Sequence, residues 1–212
     1  MYTDFRLIHY RDCPDTPWKN GGGSTKQLFI SPQSADLENF DYRISIAKVS
    51  SNGLFSRFKD VDRKLSILEG SGLRLIIKDE EGQVIDSQLL APKGNVFAFD
   101  GENNITSELI GAFVLDFNVM TRRGKYHSEV DQLTNASQAT IGEVLWTACR
   151  RTGYTLAHEL LLTLEPITVF VNDIEIQLEA YDLLIFTKEA RITLKNNQKF
   201  NGLIIKLSNN IN

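Results

Sequence analysis

The stretch Leu68-Glu69, followed by Leu73-Arg74-Leu75-Ile76-Ile77, decides the fold because a similar stretch returns about a hundred residues later. Leu164-Glu165 leads in the same way into Ile167-Thr168-Val169-Phe170-Val171. Apolar residues at every second position are typical of a β-strand. Further short apolar runs follow each stretch in the same order. The sequence therefore predicts two copies of one β-unit, although any two β-meanders resemble each other to some extent.

Short alternating runs also make up most of the remaining chain, and turn signals such as Ser51-Asn52-Gly53 divide them. Many short strands at this spacing favour an antiparallel sandwich or barrel. A stretch at 138–150 fits either a helix or a strand. The predicted strands are Ser24–Ile30, Asp41–Val49, Leu65–Leu68, Leu73–Ile77, Val96–Phe99, Ser107–Val119, Ile167–Val171, Ile174–Leu178, Leu183–Phe186, Ile192–Leu194 and Leu203–Leu207.

Two stacked β-units of this size indicate an all-β bicupin, in which two double-stranded β-helix (RmlC-like jelly-roll) units pack as one body. The first cupin-like unit is expected to span residues 1–120 and the second residues 121–212. Cupins usually bind a metal through closely spaced histidines, but His9, His127 and His158 lie far apart in this sequence. Neither a metal nor a cofactor is therefore expected. The chemistry of a pocket would depend on Arg, Asp, Asn, Ser and aromatic side chains.

The composition narrows the partners and the compartment. The 212 residues carry a net charge of −4, which offers no basic footprint for nucleic acid. No apolar run approaches the ~20 residues of a membrane span, and the first residues do not resemble a signal peptide. Cys13 and Cys149 fit unpaired thiols in a reducing cytosol. We therefore expect a cytoplasmic protein that binds neither nucleic acid nor membranes.

The segment Pro17–Gln27 contains three consecutive glycines, Gly21 to Gly23, beside Trp18. Successive amides in such a loop can converge on an anion. Asn20 tolerates the left-handed conformation, and its side chain both donates and accepts hydrogen bonds. A tight hairpin turn beside a core tryptophan explains the same residues, so both interpretations stay open.

Strands on either side of this loop present polar residues on one face. In the strand that begins at Asp41, Arg43 and Ser45 share a face that is either a pocket wall or a solvent surface. A guanidinium pointing inward could bind a carboxylate through two hydrogen bonds. Asp116, Asn118 and Met120 likewise share a face of a later strand. These two faces could form one recognition surface.

Two further clusters are ambiguous. Phe55 and Phe58 are expected to form core or pocket walls, with Ser56 and Arg63 as polar contacts, although an adjacent Asp-Arg pair is often a structural ion pair. The basic run Thr121–His127 is either a rim around an anionic ligand or a solvated loop.

These residues together resemble the HutD/Ves family. The matching motifs, which span roughly residues 5 to 125, are Trp18-Lys19-Asn20-Gly21-Gly22-Gly23-x-Thr25, Arg43-Ile44-Ser45-x-Ala47, Phe55-Ser56 with Asp62-Arg63, and Asp116-Phe117-Asn118-x-Met120-x-Arg122-Arg123. The resemblance implies a bicupin without an established catalytic activity. HutD-like proteins are associated with histidine-utilisation genes as regulatory small-molecule binders, with a formylated glutamate as a suggested ligand. Ves-like members are linked with stress response.

The resemblance also implies a set of ligand-binding residues. That set is Trp18, Asn20, Gly21, Gly22, Gly23, Thr25, Gln27, Arg43, Ser45, Phe55, Ser56, Arg63, Asp116, Asn118, Met120 and Arg122. The chain departs from the family at Gln27, where an acidic residue is usual, at Lys59-Asp60, where Pro-Gly is usual, and around Asp100-Gly101-Glu102. The amide at position 27 weakens any acid–base role there.

Three hypotheses remain from the sequence. The first is a non-catalytic binder of a small anionic metabolite resembling formylglutamate. The second is a metal-free enzyme acting on a small carboxylate or amide, with Asp116 as general base but without a partner in the matched motifs. The third is a unit for oligomerisation, with a homodimer suggested by fold analogy alone.

Overall fold

A computed structural model describes residues 5–133, 143–145, 154–186, 191–194 and 200–210. Within these residues the chain is almost entirely β-strand, and the all-β class is confirmed. None of the helical segments in these ranges is long and apolar enough to cross a membrane. The chain divides into a central unit, Pro14–Lys125, and a discontinuous unit, Met1–Cys13 with Tyr126–Asn212.

The central unit contains two antiparallel sheets, one with strand order β2-β3-β4-β11-β6-β9 and one with order β5-β10-β7-β8. Its strands are β2 (Asp15–Pro17), β3 (Gly23–Ser31), β4 (Tyr42–Val49), β5 (Gly53–Leu54), β6 (Val61–Gly70), β7 (Leu73–Lys78), β8 (Val84–Leu90), β9 (Phe97–Asp100), β10 (Asn104–Leu109) and β11 (Val114–Arg122).

The discontinuous unit also contains two antiparallel sheets, with orders β1-β17-β14-β19-β12 and β13-β18-β15-β16. Its described strands are β1 (Phe5–Ile8), β12 (Tyr126–Leu133), β13 (Glu143–Leu145), β14 (Tyr154–Thr163), β15 (Ile167–Val171), β16 (Ile174–Leu178), β17 (Leu183–Phe186), β18 (Arg191–Leu194) and β19 (Gly202–Asn210). A 3-10 turn, Tyr10–Asp12, follows β1.

The repeat predicted from the sequence is present in the strand order. The order β4-β11-β6-β9 of the central unit becomes β12-β19-β14-β17 in the discontinuous unit, and β5-β10-β7-β8 becomes β13-β18-β15-β16. Every strand number rises by eight. The two stretches that suggested the repeat lie at the β6–β7 and β14–β15 connections.

The N-terminal segment lies elsewhere than the sequence-based boundaries placed it. Residues 1–13 were assigned to the first unit, whereas β1 pairs with β17 of the discontinuous unit. Asp182 fixes the segment, because its carboxylate accepts a hydrogen bond from the Tyr10 amide (2.9 Å) and lies 2.8 Å from Nδ1 of His9. A strand of four residues is too short to indicate its partner in the sequence.

One other predicted strand is divided in the structure, and the ambiguous stretch contains a short strand. The run Ser107–Val119, predicted as one strand, is the end of β10 and most of β11, with a turn at Gly111 between them. In the ambiguous stretch 138–150, residues 143–145 form β13. The other residues of that stretch, Cys149 among them, lie outside the described residues.

The core of the central unit lies between its two sheets. The six-stranded sheet contributes Val49, Leu65, Ile67, Phe99 and Val114, and the four-stranded sheet contributes Leu73, Leu75, Ile77, Leu90 and Ile105. On the same inner face of the six-stranded sheet, β4, β6 and β11 also carry polar side chains. The candidate site lies where the inner face of this sheet changes from apolar to polar side chains.

Candidate functional site

The register of the six-stranded sheet lines up polar side chains from neighbouring strands. Residues paired across antiparallel strands point to the same face, so each row of partners forms one strip of the inner wall. The three rows are Thr25-Ala47-Asp116-Ile67, Gln27-Ser45-Asn118-Leu65 and Arg43-Met120-Arg63. The polar faces predicted separately for β4 and β11 are therefore one continuous surface.

This surface forms the wall of a cavity of about 840 Å³ in the central unit. A cavity of that size falls within the range of ligand-binding clefts. The residues of the predicted set that line it are Trp18, Asn20, Thr25, Gln27, Arg43, Ser45, Phe55, Ser56, Arg63, Asp116, Asn118 and Met120.

Arg63 is the most deeply buried cation of the cavity, with 5% of its surface exposed. Its Nη1 donates to the Ser56 carbonyl oxygen (3.1 Å), and Phe55, Phe58 and Phe99 surround its guanidinium at 4.9–5.5 Å. Its Nε is buried and has no hydrogen-bond partner among the described residues. Burial lowers the pKa of Arg63 to about 10, so the side chain remains charged at neutral pH. Its donor capacity is only partly used.

Arg43 is the second cation of the cavity wall. Its Nε donates to Oε1 of Gln27 (2.8 Å), and its Nη1 lies 3.8 Å from the sulfur of Met120. Burial lowers the pKa of Arg43, and the charge of Arg43 contributes in turn to lowering the pKa of Arg63. The two arginines therefore repel each other while they share one cavity.

Asp116 is the only acidic side chain among the described residues that line the cavity, and 3% of its surface is exposed. No group of the described residues donates a hydrogen bond to its carboxyl. Burial raises the pKa of Asp116 to about 7, although the charge of Arg63 works in the opposite direction. The carboxyl therefore holds a proton to higher pH than an exposed aspartate does, and it compensates the two arginines incompletely.

Two other polar groups of the wall, the Asn118 amide and the Trp18 indole, differ in their hydrogen bonding. Oδ1 of Asn118 is buried and accepts no hydrogen bond within the described part of the chain. Nε1 of Trp18 donates to the hydroxyl of Thr25 (2.8 Å), which fixes the indole at the cavity. The wall thus combines a rigid aromatic ring with polar atoms that lack protein partners.

The glycine loop is a tight turn rather than an anion-binding nest. The Gly21 amide donates to the Trp18 carbonyl oxygen (3.0 Å), and the Gly22 amide donates to Oδ1 of Asn20 (3.0 Å). Because these amides are already bonded, they cannot converge on a ligand. The three glycines lie outside the cavity lining. At Gly23 a Cβ would overlap the Lys48 carbonyl oxygen and lie 3.0 Å from the Trp18 ring, so glycine allows the indole to pack there.

Arg122 also lies outside the cavity, contrary to the prediction. Its guanidinium donates to the carbonyl oxygens of Glu38 (2.8 Å), Lys59 (2.9 Å) and Phe40 (3.2 Å), and it lies over the Phe40 ring. Arg122 thus holds two loops together.

The basic run that follows Arg122 does not form a rim around the cavity. Arg123 pairs with Asp62 (2.6 Å) and Glu102 (3.0 Å), and Lys125 pairs with Asp41 (2.5 Å). Asp62 and Arg63 are adjacent in β6 and point to opposite faces of the sheet, so Asp62 pairs with Arg123 while Arg63 lines the cavity.

Several apolar residues that line the cavity are absent from the predicted set. Leu37, Leu54 and Phe58 line the cavity, and the two leucines are 51% and 75% exposed. Phe58 had been expected only as a core or pocket wall. Leu37 precedes β4 in an irregular segment, and Leu54 ends the two-residue strand β5, so periodicity gives no signal for either leucine.

The equivalent row of the discontinuous unit carries different charges. In the strands that correspond to β4, β11 and β6, the register aligns Glu129, Lys206 and Glu159. Glu159 lies beside Phe186, as Arg63 lies beside Phe99. Burial raises the pKa of Glu159 to about 7, with Lys206 opposing the change. The paired arginines are thus a feature of the central unit.

The described ranges contain no group of three or more His, Cys, Asp or Glu side chains placed to hold a metal ion. The polar groups that line the cavity include two guanidinium groups, the Lys19 ammonium, amides, hydroxyls and one carboxyl.

A unit of two antiparallel sheets with a polar cavity on the inner face of one sheet is cupin-like. Residues 10–203 match the HutD family, and the chain belongs to that family. The chain is 32% identical over 136 residues to an uncharacterized 21.2 kDa protein in the hutC 3′ region of Pseudomonas putida, an alignment that covers 64% of this chain and 68% of that protein. It is 34% identical over 113 residues to Protein Ves of Escherichia fergusonii, over 53% of this chain and 55% of Ves. The expected HutD/Ves relationship is confirmed.

Solved structures agree with this assignment. The fold matches a conserved protein of unknown function from Pseudomonas aeruginosa with a TM-score of 0.74, 25% identity and coverage of 99% of this chain and 100% of that one. HutD from Pseudomonas fluorescens gives a TM-score of 0.74, 23% identity and coverage of 98% and 100%. An oxalate decarboxylase of Bacillus subtilis shares the fold at a TM-score of 0.55 and 9% identity, over 95% of this chain and 76% of the enzyme.

Proposed function

We propose that this chain is a non-catalytic binding protein for a small carboxylate anion, which it holds in the cavity of the central unit. The observation that carries the proposal is the pair of arginines in the cavity wall, Arg63 buried and Arg43 partly buried, with Asp116 as the one acidic neighbour that the described cavity wall gives them. A buried cation without a counter-charge is unfavourable. An anion between the guanidinium groups would relieve their repulsion and satisfy the free donor of Arg63.

The expected affinity follows from the number of contacts. A hydrogen bond to a charged group contributes about 1.5–3 kcal/mol net. Two or three such bonds, together with apolar contact to Trp18 and Phe55, bring micromolar binding within reach. Ser45 and Asn118 lie in the adjacent row and would set the orientation of the ligand.

The family gives this binding a context. A relative in the hutC region and a structure named HutD favour a role in histidine utilisation, and relatives named Ves favour the role in stress response. We propose a regulatory role in the cytoplasm, with a ligand resembling formylglutamate. We further propose that the two β-units are the two repeats of a bicupin, on the basis of their equal strand order.

Calorimetric titration with formylglutamate, glutamate, urocanate, histidine and phosphate tests the proposal. We expect a carboxylate to bind the native protein and Arg43→Ala to abolish that binding without loss of the fold. Arg74→Ala is the matched control, because Arg74 is half-exposed on the other sheet and pairs only loosely with Glu108 (3.9 Å). Equal affinity in the Arg43→Ala and native proteins would refute the role of the arginine pair.

One observation favours a second candidate, a metal-free enzyme with Asp116 as general base. A buried carboxyl with a pKa of about 7 beside an arginine is suited to proton transfer at neutral pH. Turnover of a bound carboxylate or amide, lost in Asp116→Asn while binding persists, would support this candidate. Binding without turnover supports the non-catalytic role.

A further inference from the structure

The cavity is lined by two chemically different sets of residues. The central strands of the six-stranded sheet supply the polar set, which includes Arg43, Arg63, Asp116 and Asn118. Segments outside these strands supply the apolar set, namely Pro14, Pro17, Trp18, Leu37, Leu54, Phe55 and Phe58, together with polar residues such as Lys19, Asn20 and Asn52. An occupant that satisfies only the arginines would leave the second set in contact with water.

The apolar set extends to the surface of the central unit. Leu37 is 51% exposed and Leu54 is 75% exposed, and both line the cavity. They come from separate segments, the connection before β4 and the strand β5. Exposed leucines at the edge of a cavity are a hydrophobic surface that an occupant can cover.

The volume of the cavity also indicates an occupant larger than a short dicarboxylate. About 840 Å³ lies in the upper part of the range for clefts that hold drug-sized ligands. A short dicarboxylate between Arg43 and Arg63 would fill only the polar part. The Trp18 ring, whose indole donates a hydrogen bond to Thr25, also lines the cavity and offers an apolar surface to the rest of a larger ligand.

We propose that the natural ligand is a carboxylate with an apolar tail of several carbons. The carboxylate lies against Arg43 and Arg63, and the tail passes Trp18 and Phe55 toward Leu54. This inference rests on the proposed function for the anionic end of the ligand. At the other end it departs from formylglutamate, because an apolar tail takes the place of a second carboxylate.

A series of straight-chain acids with one shared head group tests the tail. Acetate, butanoate, hexanoate and octanoate are titrated into the full-length protein, and dissociation constants are taken from amide and indole shifts in NMR spectra. Each methylene that becomes buried should tighten binding about fourfold, so octanoate should bind at least about a hundredfold more tightly than acetate. An affinity that does not rise with chain length overturns the proposal.

Matched variants place the tail in the cavity. Leu54→Asn should reduce the ratio of octanoate to acetate affinity, whereas Leu89→Asn should not, because Leu89 is 57% exposed on β8 and does not line the cavity. An equal ratio of octanoate to acetate affinity in the native and Leu54→Asn proteins also overturns the proposal that the tail lies in the cavity. If no acid binds, or if Arg43→Ala leaves acetate binding unchanged, the proposed function itself has failed. Binding that depends on Arg43 but not on chain length contradicts only the proposed apolar tail and leaves the proposed function standing.

Discussion

Replacement of Asp116 by asparagine is expected to stabilise the protein at alkaline pH and to change its stability little at acidic pH. The carboxyl has a pKa of 3.8 in the unfolded chain, and burial raises its pKa to about 7 in the folded protein. Between these values the folded state holds a proton that the unfolded state has released. The free energy of unfolding therefore falls as the pH rises through this interval and levels off above about pH 7.

The size of the effect follows from the same two values. At about 1.36 kcal/mol per pKa unit, the interval corresponds to roughly 4 kcal/mol. This is an upper bound, because water in the cavity solvates the carboxylate. The amide side chain of the Asp116→Asn variant does not titrate, so the stability difference between the two proteins should grow with pH and reach several kcal/mol at about pH 8.

Urea unfolding between about pH 5 and about pH 8.5 measures this difference. Asp86→Asn is the control, because Asp86 is an exposed carboxylate on β8 of the same unit. A constant difference between native and Asp116→Asn proteins across this range would show that the carboxyl is not buried as described. The same conclusion would follow if the Asp86→Asn variant showed the same dependence of stability on pH as the Asp116→Asn variant.

Three other substitutions test structural contacts. Arg122→Met should lower the free energy of unfolding by about 2–4 kcal/mol, because three backbone carbonyls lose a charged donor, and an unchanged urea midpoint would contradict this role. Gly23→Ala should cost about 1–3 kcal/mol because the new methyl group would overlap the Lys48 carbonyl oxygen and crowd Trp18, and native stability in thermal unfolding would refute it. Asp182→Asn should raise amide exchange in β1 about tenfold, because His9 and the neighbouring amides lose a carboxylate acceptor, and exchange at the native rate would show that β1 is held by other contacts.

The sequence predicted which side chains of a strand share a face better than it predicted which strands lie next to each other. Alternation correctly placed Arg43 with Ser45 and Asp116 with Asn118, because side chains on a strand alternate with period two. It could not show that Arg43 and Arg63 lie on either side of Met120, since that depends on the pairing of β11 with both β4 and β6. The cavity is a product of this register.

Side chains at strand ends and in loops were harder to predict. Arg122 follows Met120 by two residues and so belongs to the same face by alternation, but β11 ends there and its guanidinium reaches loop carbonyls instead. The role of Gly21 and Gly22 depended on which acceptors their amides find, and composition does not determine that choice. Leu54 could not be assigned, because a strand of two residues has no period.

The pairing of β1 with β17 has a consequence for biosynthesis. The central unit is continuous in sequence, so it can fold while the ribosome is still producing the rest of the chain. Phe5 and Leu7 are translated before the central unit but pair with residues 183–186, which follow roughly ten to forty seconds later at about 5–20 residues per second. During that interval the early segment remains exposed to chaperones and to neighbouring nascent chains. A strand that is made before the central unit therefore reaches its native sheet only after that unit has been made.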